Sequence, residues 1–337
     1  MRERVLIVGA GPIGLACAIS AARRGLDPLV VDAGAIAESI VRYPVGMVFF
    51  TTPERLEIGG HPLVSAGPKA TREEALKYYR GVVRAEGLRV RPYLRFRHAE
   101  RSGAGFTCLL ASRLGEQRLT AERIVLATGY FGQPNLLGIP GETLPHVSHY
   151  ADEAHRNAGL SVVNVGGKNS AVEHALACFR AGARVTLVYR RAELRPSVKY
   201  WLRPDLENRI SAGEITARFD TRVSEISAEA VTTAGPQGAE SIAADRVFLL
   251  TGFQPDFALF RALGISLDAE ERPRFDPETH ESNVPGLHLA GSITCGRKIS
   301  EVFIENGRYD GERIFGDTAS RTRASRLLDG QLRPVGE

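Results

Sequence analysis

A chain of 337 residues has room for about two domains. At 43% hydrophobic and 24% charged it carries enough apolar material for an ordinary globular core. Its net charge of +4 comes without any Lys/Arg block, so nucleic acid is not expected as a partner. No stretch approaches the roughly eighteen apolar residues of a membrane span. Met1-Arg2-Glu3-Arg4 is followed by an apolar run too short for a signal peptide, which leaves a cytoplasmic location as the expectation. Cys17, Cys108, Cys178 and Cys295 are far apart. With no C-x-x-C pair, the usual zinc ribbon and redox dithiol are excluded, and free thiols suit a reducing compartment.

Val5 to Val8 is an apolar run of the kind that forms a buried parallel strand. Gly9-Ala10-Gly11-Pro12-Ile13-Gly14 follows at once, then a helix of small residues, then Leu29-Val30-Val31-Asp32. This is the order of a dinucleotide fingerprint. Gly9 makes the tight turn, Gly11 lets the backbone approach a pyrophosphate, and Gly14 lets the helix lie on the strand. The helix start offers unpaired N–H groups to phosphates. Asp32 ends the second strand, placed to accept hydrogen bonds from a ribose.

Residues 33–68 are loop-rich and long for a connection, which points to ligand contact. Thr71 to Glu86 reads as a helix with Thr71 as N-cap and Ala75, Tyr78, Tyr79, Val82 and Val83 on its apolar face. Short strands are expected at 90–94, 106–110 and 124–126, the last ending in the turn Ala127-Thr128-Gly129.

A second unit starts at Ser161. Val162 to Val165 is a strand, Gly166-Gly167-Lys168-Asn169-Ser170-Ala171 turns into a helix reaching about Ala181, and Arg184 to Val188 is the next strand. Lys168 replaces the middle glycine, and Arg190-Arg191 replaces the acid. A carboxylate there would repel a ribose 2′-phosphate, whereas arginines bind it in bidentate fashion. The first site therefore suits FAD or NAD, and the second suits NADPH. Strands return at 222–226 and 246–250, and Thr251-Gly252 echoes Thr128-Gly129. Pro285-Gly286-Leu287 leads to Ala290-Gly291-Ser292. Ser300 to Ile314 reads as the last packed helix, and 317–337, rich in Arg, Ser and Gly, as a solvated tail.

This succession resembles the two-dinucleotide-binding flavoproteins with a thioredoxin-reductase-like layout. The resemblance implies an α/β fold of two Rossmann-like three-layer domains, with the NADPH domain (149–252) inserted in a discontinuous FAD domain (1–148 plus 253–337). The linkers would be His149-Tyr150-Ala151 and Gly252-Phe253-Gln254. Within that group the chain resembles the bacillithiol disulfide reductase-like family. The segments that carry this are Glu38-Ser39-Ile40 with Tyr43-Pro44, Tyr78-Tyr79-Arg80, Thr128-Gly129-Tyr130 with Gly132-Gln133, Gly166-Gly167-Lys168-Asn169-Ser170-Ala171 and Ile304-Glu305-Asn306-Gly307. The resemblance implies FAD held by Gly9, Gly11, Pro12, Ile13, Gly14, Asp32, Ala33, Ser39, Thr128, Gly129, Gly291 and Ser292. It implies NADPH held by Gly166, Gly167, Lys168, Asn169, Ser170, Ala171, Arg190 and Arg191. Hydride would pass from NADPH to FAD and the electrons on to a low-molecular-weight thiol disulfide such as bacillithiol disulfide, in a homo-oligomer.

Two departures stand out. Ile13 occupies a position where some members of the family carry a cysteine, and Ser292 stands where the superfamily usually has an aspartate on the ribityl chain. Cys17, Cys108 and Cys178 read as core, and Cys295 as the one thiol near the flavin end. The histidines (His146, His149, His155, His174) form no ligand set, so no metal is expected. Two further readings stay open. One is an NADPH reductase for a small redox protein, ferredoxin or flavodoxin. The other is a flavin monooxygenase, ranked lower because its F-x-G-x-x-x-H motif is missing: Gly141 precedes His146 by one residue too many, and the Phe is absent.

Overall fold

The computed structural model describes residues 2–298 and 301–332. The chain forms two compact units. The first takes the segments up to Arg42, from Gly46 to Gln133 and from Gln254 onward; the second takes Tyr43–Val45 and Pro134–Phe253.

The first unit opens with β1 (Arg2–Val8), α1 (Pro12–Ala22) and β2 (Leu29–Val31). There follow α2 (Glu38–Val41), α3 (Pro53–Leu56), α4 (Arg72–Ala85), β3 (Arg89–Arg91), β4 (Arg95–Ser102), β5 (Gly105–Ser112) and β6 (Gly115–Leu126). β1 is buried from Val5 onward on both faces, as its unbroken apolar run requires. α1 is almost wholly buried and starts with proline in its first turn, where no N–H is needed. α4 begins with a capping box: the Thr71 hydroxyl accepts the Glu74 amide hydrogen at 3.2 Å, and the Glu74 carboxylate accepts that of Thr71 at 2.8 Å. The expected third strand stops at Arg91, because Tyr93 takes a left-handed turn at φ +57°.

The second unit contains β7 (Val147–Ser148), β8 (Ser161–Val165), α5 (Asn169–Arg180), β9 (Arg184–Val188) and α6 (Arg203–Ser211). It continues through β10 (Ile215–Arg218), β11 (Arg222–Ile226), β12 (Ala230–Gly235), β13 (Gly238–Ala243) and β14 (Arg246–Leu249). Its main sheet is parallel, in the order β10-β9-β8-β14-β7, and β11-β12-β13 form an antiparallel sheet of their own. The chain then returns to the first unit with α7 (Phe257–Ala262), β15 (Leu287–Leu289), α8 (Ile304–Gly307), α9 (Asp310–Phe315) and α10 (Thr318–Leu332).

In the first unit's sheet, ordered β3-β2-β1-β6-β5-β4, β6 does two jobs. Its C-terminal half pairs in parallel with β1 and β15, and its N-terminal half antiparallel with β5. All three strand ends that matter here, at Val8, Leu126 and Leu289, therefore lie side by side. Leu6, Leu29, Phe106, Leu126 and Leu289 share one core with Phe257 and Phe260.

Three expectations need correction. The crossing expected at His149-Tyr150-Ala151 falls instead at Gln133/Pro134. Val147 and Ser148 are an edge strand of the second unit's sheet, and Ile139 and Leu144 pack on its core, so 134–148 go with the inserted unit. The segment expected as one helix from Ser300 holds two short helices, α8 and α9; Ser300 itself lies outside the described residues. The expected solvated tail is largely helix: α10 buries Ser320 and Ala324, and the Asp317 carboxylate caps it by accepting the Ser320 amide hydrogen at 2.8 Å. Residues 333–337 of that expectation lie outside the described residues.

Candidate functional site

At the first fingerprint, Gly9 sits at φ +115°, and a Cβ there would overlap the Ala127 carbonyl. A Cβ on Gly14 would overlap the Gly9 carbonyl, so α1 lies against the end of β1. Gly11 is different: its backbone is extended, and a Cβ built there meets nothing within 4 Å. The glycine at this position leaves open space beside the start of α1, where a pyrophosphate would lie. Asp32 anchors the turn. Its Oδ2 accepts the Ala10 amide hydrogen and its Oδ1 that of Gly34, both at 2.7 Å. Burial raises the Asp32 pKa, and those two hydrogen bonds oppose the rise. Each oxygen keeps a lone pair for a ribose hydroxyl.

The other residues named for this site gather around the same strand ends. Thr128 has a buried hydroxyl with no hydrogen-bond partner, an orphan that a cofactor oxygen would satisfy. Gly129 follows at φ +62°. Pro12 is buried at the helix start, Ala33 is exposed beside Asp32, and Ser39 is half-buried on α2. The segment after β2 is tied back to the fingerprint by the Ala37 amide hydrogen on the Ala10 carbonyl at 2.9 Å. Ile13 packs against two glycines: its Cδ1 lies 2.8 Å from where a Cβ on Gly291 would be and 2.6 Å from one on Gly307. Gly291 turns at φ +77°, and Ser292 is buried.

One carboxylate here escaped the sequence reading. Asp310, at the start of α9, is buried, and its Oδ2 accepts the Gly291 amide hydrogen at 2.7 Å. Its Oδ1 lies 3.9 Å from His280 Nε2. Burial raises its pKa, against the opposing pull of His280, the Gly291 hydrogen bond and Arg313. Asp310 lies far from Ser292 in sequence, and only the packing of α9 on α1 brings it to the turn.

At the second fingerprint, Gly166 sits at φ +148°, and a Cβ there would come within 2.6 Å of the Leu250 carbonyl oxygen. Gly167 lies under the Tyr189 ring, leaving no room for a side chain. Lys168 is extended at the N-cap of α5, Asn169 and Ser170 open the helix, and Ala171 is buried. Desolvation lowers the Lys168 pKa, and the fields of Arg195 and Arg190 lower it further. Among the described residues, no carboxylate forms an ion pair with Lys168, Arg190, Arg191 or Arg195. A phosphate dianion would fit such an uncompensated cluster. Arg191 and Arg195 line a depression of about 500 Å³ together with Glu193 and Ser197. Arg195 was missed in the sequence reading, although the basic pattern Arg190-Arg191-x-x-x-Arg195 was there to find.

The four cysteines are all buried and free. Desolvation pushes the Cys108 and Cys178 thiols up to about 12 and raises Cys17 and Cys295 as well. Cys295 closes the short 3₁₀ turn Gly291–Cys295, beside the Thr294 hydroxyl. His174 has its Nδ1 2.7 Å from Asn164 Oδ1 and its Nε2 3.6 Å from Asp152 Oδ1, inside the second unit's core. Among the described residues, no three His, Cys, Asp or Glu side chains are arranged to hold a metal. No described helix is long and apolar enough to cross a membrane.

The family model described as "Pyridine nucleotide-disulphide oxidoreductase" matches residues 6–291. The chain is 38% identical to the bacilliredoxin reductase Bdr of Bacillus subtilis, over 95% of this chain and 99% of that one. It is 28% identical to a ferredoxin–NADP reductase of Ignicoccus hospitalis, over 94% and 97%. The solved bacillithiol disulfide reductase Bdr of Bacillus cereus superposes with a TM-score of 0.90 at 39% identity, covering 97% of this chain and 100% of that one. The family implies FAD and NADPH as cofactors. The chain is an enzyme of the pyridine nucleotide-disulphide oxidoreductase family and belongs, within it, to the bacillithiol disulfide reductase-like group.

Proposed function

We propose that the first unit holds FAD, that the second takes NADPH, and that the electrons go to a low-molecular-weight thiol disulfide such as bacillithiol disulfide. The observation that carries the coenzyme assignment is the placing of Arg190 and Arg191 just after β9, with Arg191 and Arg195 lining one depression and none of these arginines in an ion pair with a carboxylate among the described residues. The name of the Bacillus cereus relative supports the disulfide, whereas that of the Bacillus subtilis relative names bacilliredoxin as what is reduced.

Bound FAD supplies a carrier that takes hydride from a nicotinamide and hands on the electrons. The protein's part is binding and orientation. The opening beside Gly11 and the start of α1 receive the pyrophosphate, Asp32 the adenosine ribose, and the Thr128 hydroxyl a further polar atom of the cofactor. Asp310 fixes the Gly291 turn. In the second unit the start of α5 faces the coenzyme's pyrophosphate and the three cations its 2′-phosphate.

A second reading, an NADPH reductase for a small redox protein, is favoured by one observation: all four cysteines are buried thiols with raised pKa values. A disulfide acceptor is normally attacked by a thiolate, and a protein acceptor such as ferredoxin or flavodoxin needs none. NADPH oxidation by the FAD-loaded protein, measured with bacillithiol disulfide, a bacilliredoxin, ferredoxin, flavodoxin and oxygen in turn, separates the readings. Fast turnover with bacillithiol disulfide supports the first. Turnover with ferredoxin or flavodoxin alone replaces it with the second, and turnover with oxygen plus an oxygenated product would replace both.

A further inference from the structure

The fingerprint residue Asn169 has both ends of its side chain committed to a distant loop. Its Oδ1 accepts the Lys199 amide hydrogen at 2.9 Å, and its Nδ2 donates to the Ser197 carbonyl at 3.4 Å. The amide group is thus spent on backbone thirty residues away and is not turned to a ligand. The loop it grips is otherwise pinned from below. Leu194 and Val198 are buried in the core beneath α5, the Val198 amide hydrogen bonds back to the Arg195 carbonyl at 3.0 Å, and Arg203 donates to the Leu194 carbonyl at 3.2 Å. Arg195 lies in this loop and lines one depression with Arg191, and its charge is felt at Lys168.

We propose that Asn169 is a positioning residue for coenzyme selectivity: it clamps loop 191–199 to the start of α5, and so holds Arg195 beside Lys168 and Arg190 where a 2′-phosphate would bind. This rests on the NADPH reading of the second unit. An asparagine fits the task because it is the shortest side chain that both accepts and donates in one plane. A serine in its place would reach only one of the two backbone groups. Removing the clamp leaves the glycine turn and the helix start intact. The pyrophosphate contacts therefore persist, while the loop keeps only its lower anchors at Leu194 and Val198 and holds Arg195 less firmly.

The test uses two small probes that need no electron transfer, adenosine 2′,5′-bisphosphate and 5′-AMP, titrated calorimetrically into the FAD-loaded protein. Wild type is expected to bind the bisphosphate at least tenfold more tightly than AMP. In Asn169→Ala that preference should fall about tenfold, with AMP affinity changed less than twofold. Amide hydrogen exchange should rise in residues 191–199 and stay unchanged in β8 and β9. If wild type shows no preference for the bisphosphate, the NADPH reading itself fails. If wild type prefers it and Asn169→Ala keeps the full preference, or weakens both probes equally, the clamp proposal is overturned. Should Asn169→Ala not fold, Asn169→Ser carries the same expectation and the same refutation.

Discussion

The Asp310 carboxylate accepts the Gly291 amide hydrogen at 2.7 Å, and no other buried acid among the described residues reaches that turn. Burial raises its pKa, so the folded protein holds this proton more tightly than the unfolded chain does. The sign follows from linkage. Whatever stability the protonated form contributes is complete below the unfolded-chain value and is lost as pH rises through the folded one. Asp310→Asn keeps an oxygen for the Gly291 hydrogen and never ionises. Its melting temperature should therefore match wild type near pH 4 and exceed it increasingly toward pH 8. A difference that does not change with pH would show that the buried charge is fully compensated. Asp310→Ala leaves a buried N–H unpaired and should cost about 1–3 kcal/mol at every pH.

Gly11 and Gly14 are both glycines of the same fingerprint, yet they should fail differently. Valine at Gly11 meets nothing in the protein and suits the extended backbone there. It costs the fold about 1 kcal/mol as a poorer N-cap but fills the space a pyrophosphate needs. Gly11→Val should fold and stay colourless after incubation with FAD. Valine at Gly14 would overlap the Gly9 carbonyl, an overpacking worth about 1–3 kcal/mol or more. Gly14→Val should lose thermal stability as well as FAD. The comparison is read from the visible spectrum and a melting curve of each variant.

How much of this was legible in the sequence depended on whether the signal was local. β1, α1, β2 and Asp32 form one uninterrupted run, so periodicity, glycine spacing and the terminal acid all speak at once. The same holds for β8, α5 and β9. The capping box of α4 is likewise written in four consecutive residues. What was missed is non-local. Asp310 matters because α9 packs on α1, where a Cβ on Gly311 would come within 2.9 Å of the Cys17 Cα. Residues 134–148 join the second unit through the pairing of a two-residue strand that has no recognisable pattern of its own. β13, with Gly, Ala, Glu and Ser and mostly exposed, lacks the alternation that marks a half-buried strand, and the apolar signal of its partner β12 is a single valine, Val231. α10 has a polar, arginine-rich composition that reads as tail, and its helicity shows only once Ser320 and Ala324 are seen to be buried.

The cationic cluster gives an ordered series. The charges of Arg195 and Arg190 are felt at Lys168, and that of Arg191 is not among those acting on it, although Arg191 and Arg195 line one depression. A charge-assisted contact to phosphate is worth about 1.5–3 kcal/mol, or roughly tenfold to a hundredfold in affinity. Arg190→Ala and Arg195→Ala should each raise the KM for NADPH by that factor and leave the KM for NADH within about twofold. Arg191→Ala should do less. Equal loss with both coenzymes in any of these variants would mean that the arginine does not read the 2′-phosphate.

The last expectation concerns the thiols. Ile13 is wedged against Gly291 and Gly307 and offers no nucleophile, and no C-x-x-C exists to replace one. With their raised pKa values, Cys17, Cys108, Cys178 and Cys295 are protonated at neutral pH, and only the thiolate reacts. The native protein should accordingly resist iodoacetamide at pH 7.5 for hours. NADPH should bleach the flavin absorbance at the same rate before and after that treatment. A variant with all four cysteines changed to alanine or serine should bleach as well, provided it retains FAD. Cys295 is the discriminating position, because it closes the turn that begins at Gly291. If wild type reduces bacillithiol disulfide and Cys295→Ala does so equally fast, electrons leave without a protein thiol. If Cys295→Ala still bleaches with NADPH but no longer reduces the disulfide, Cys295 is the missing nucleophile, and its raised pKa must fall once the substrate is bound.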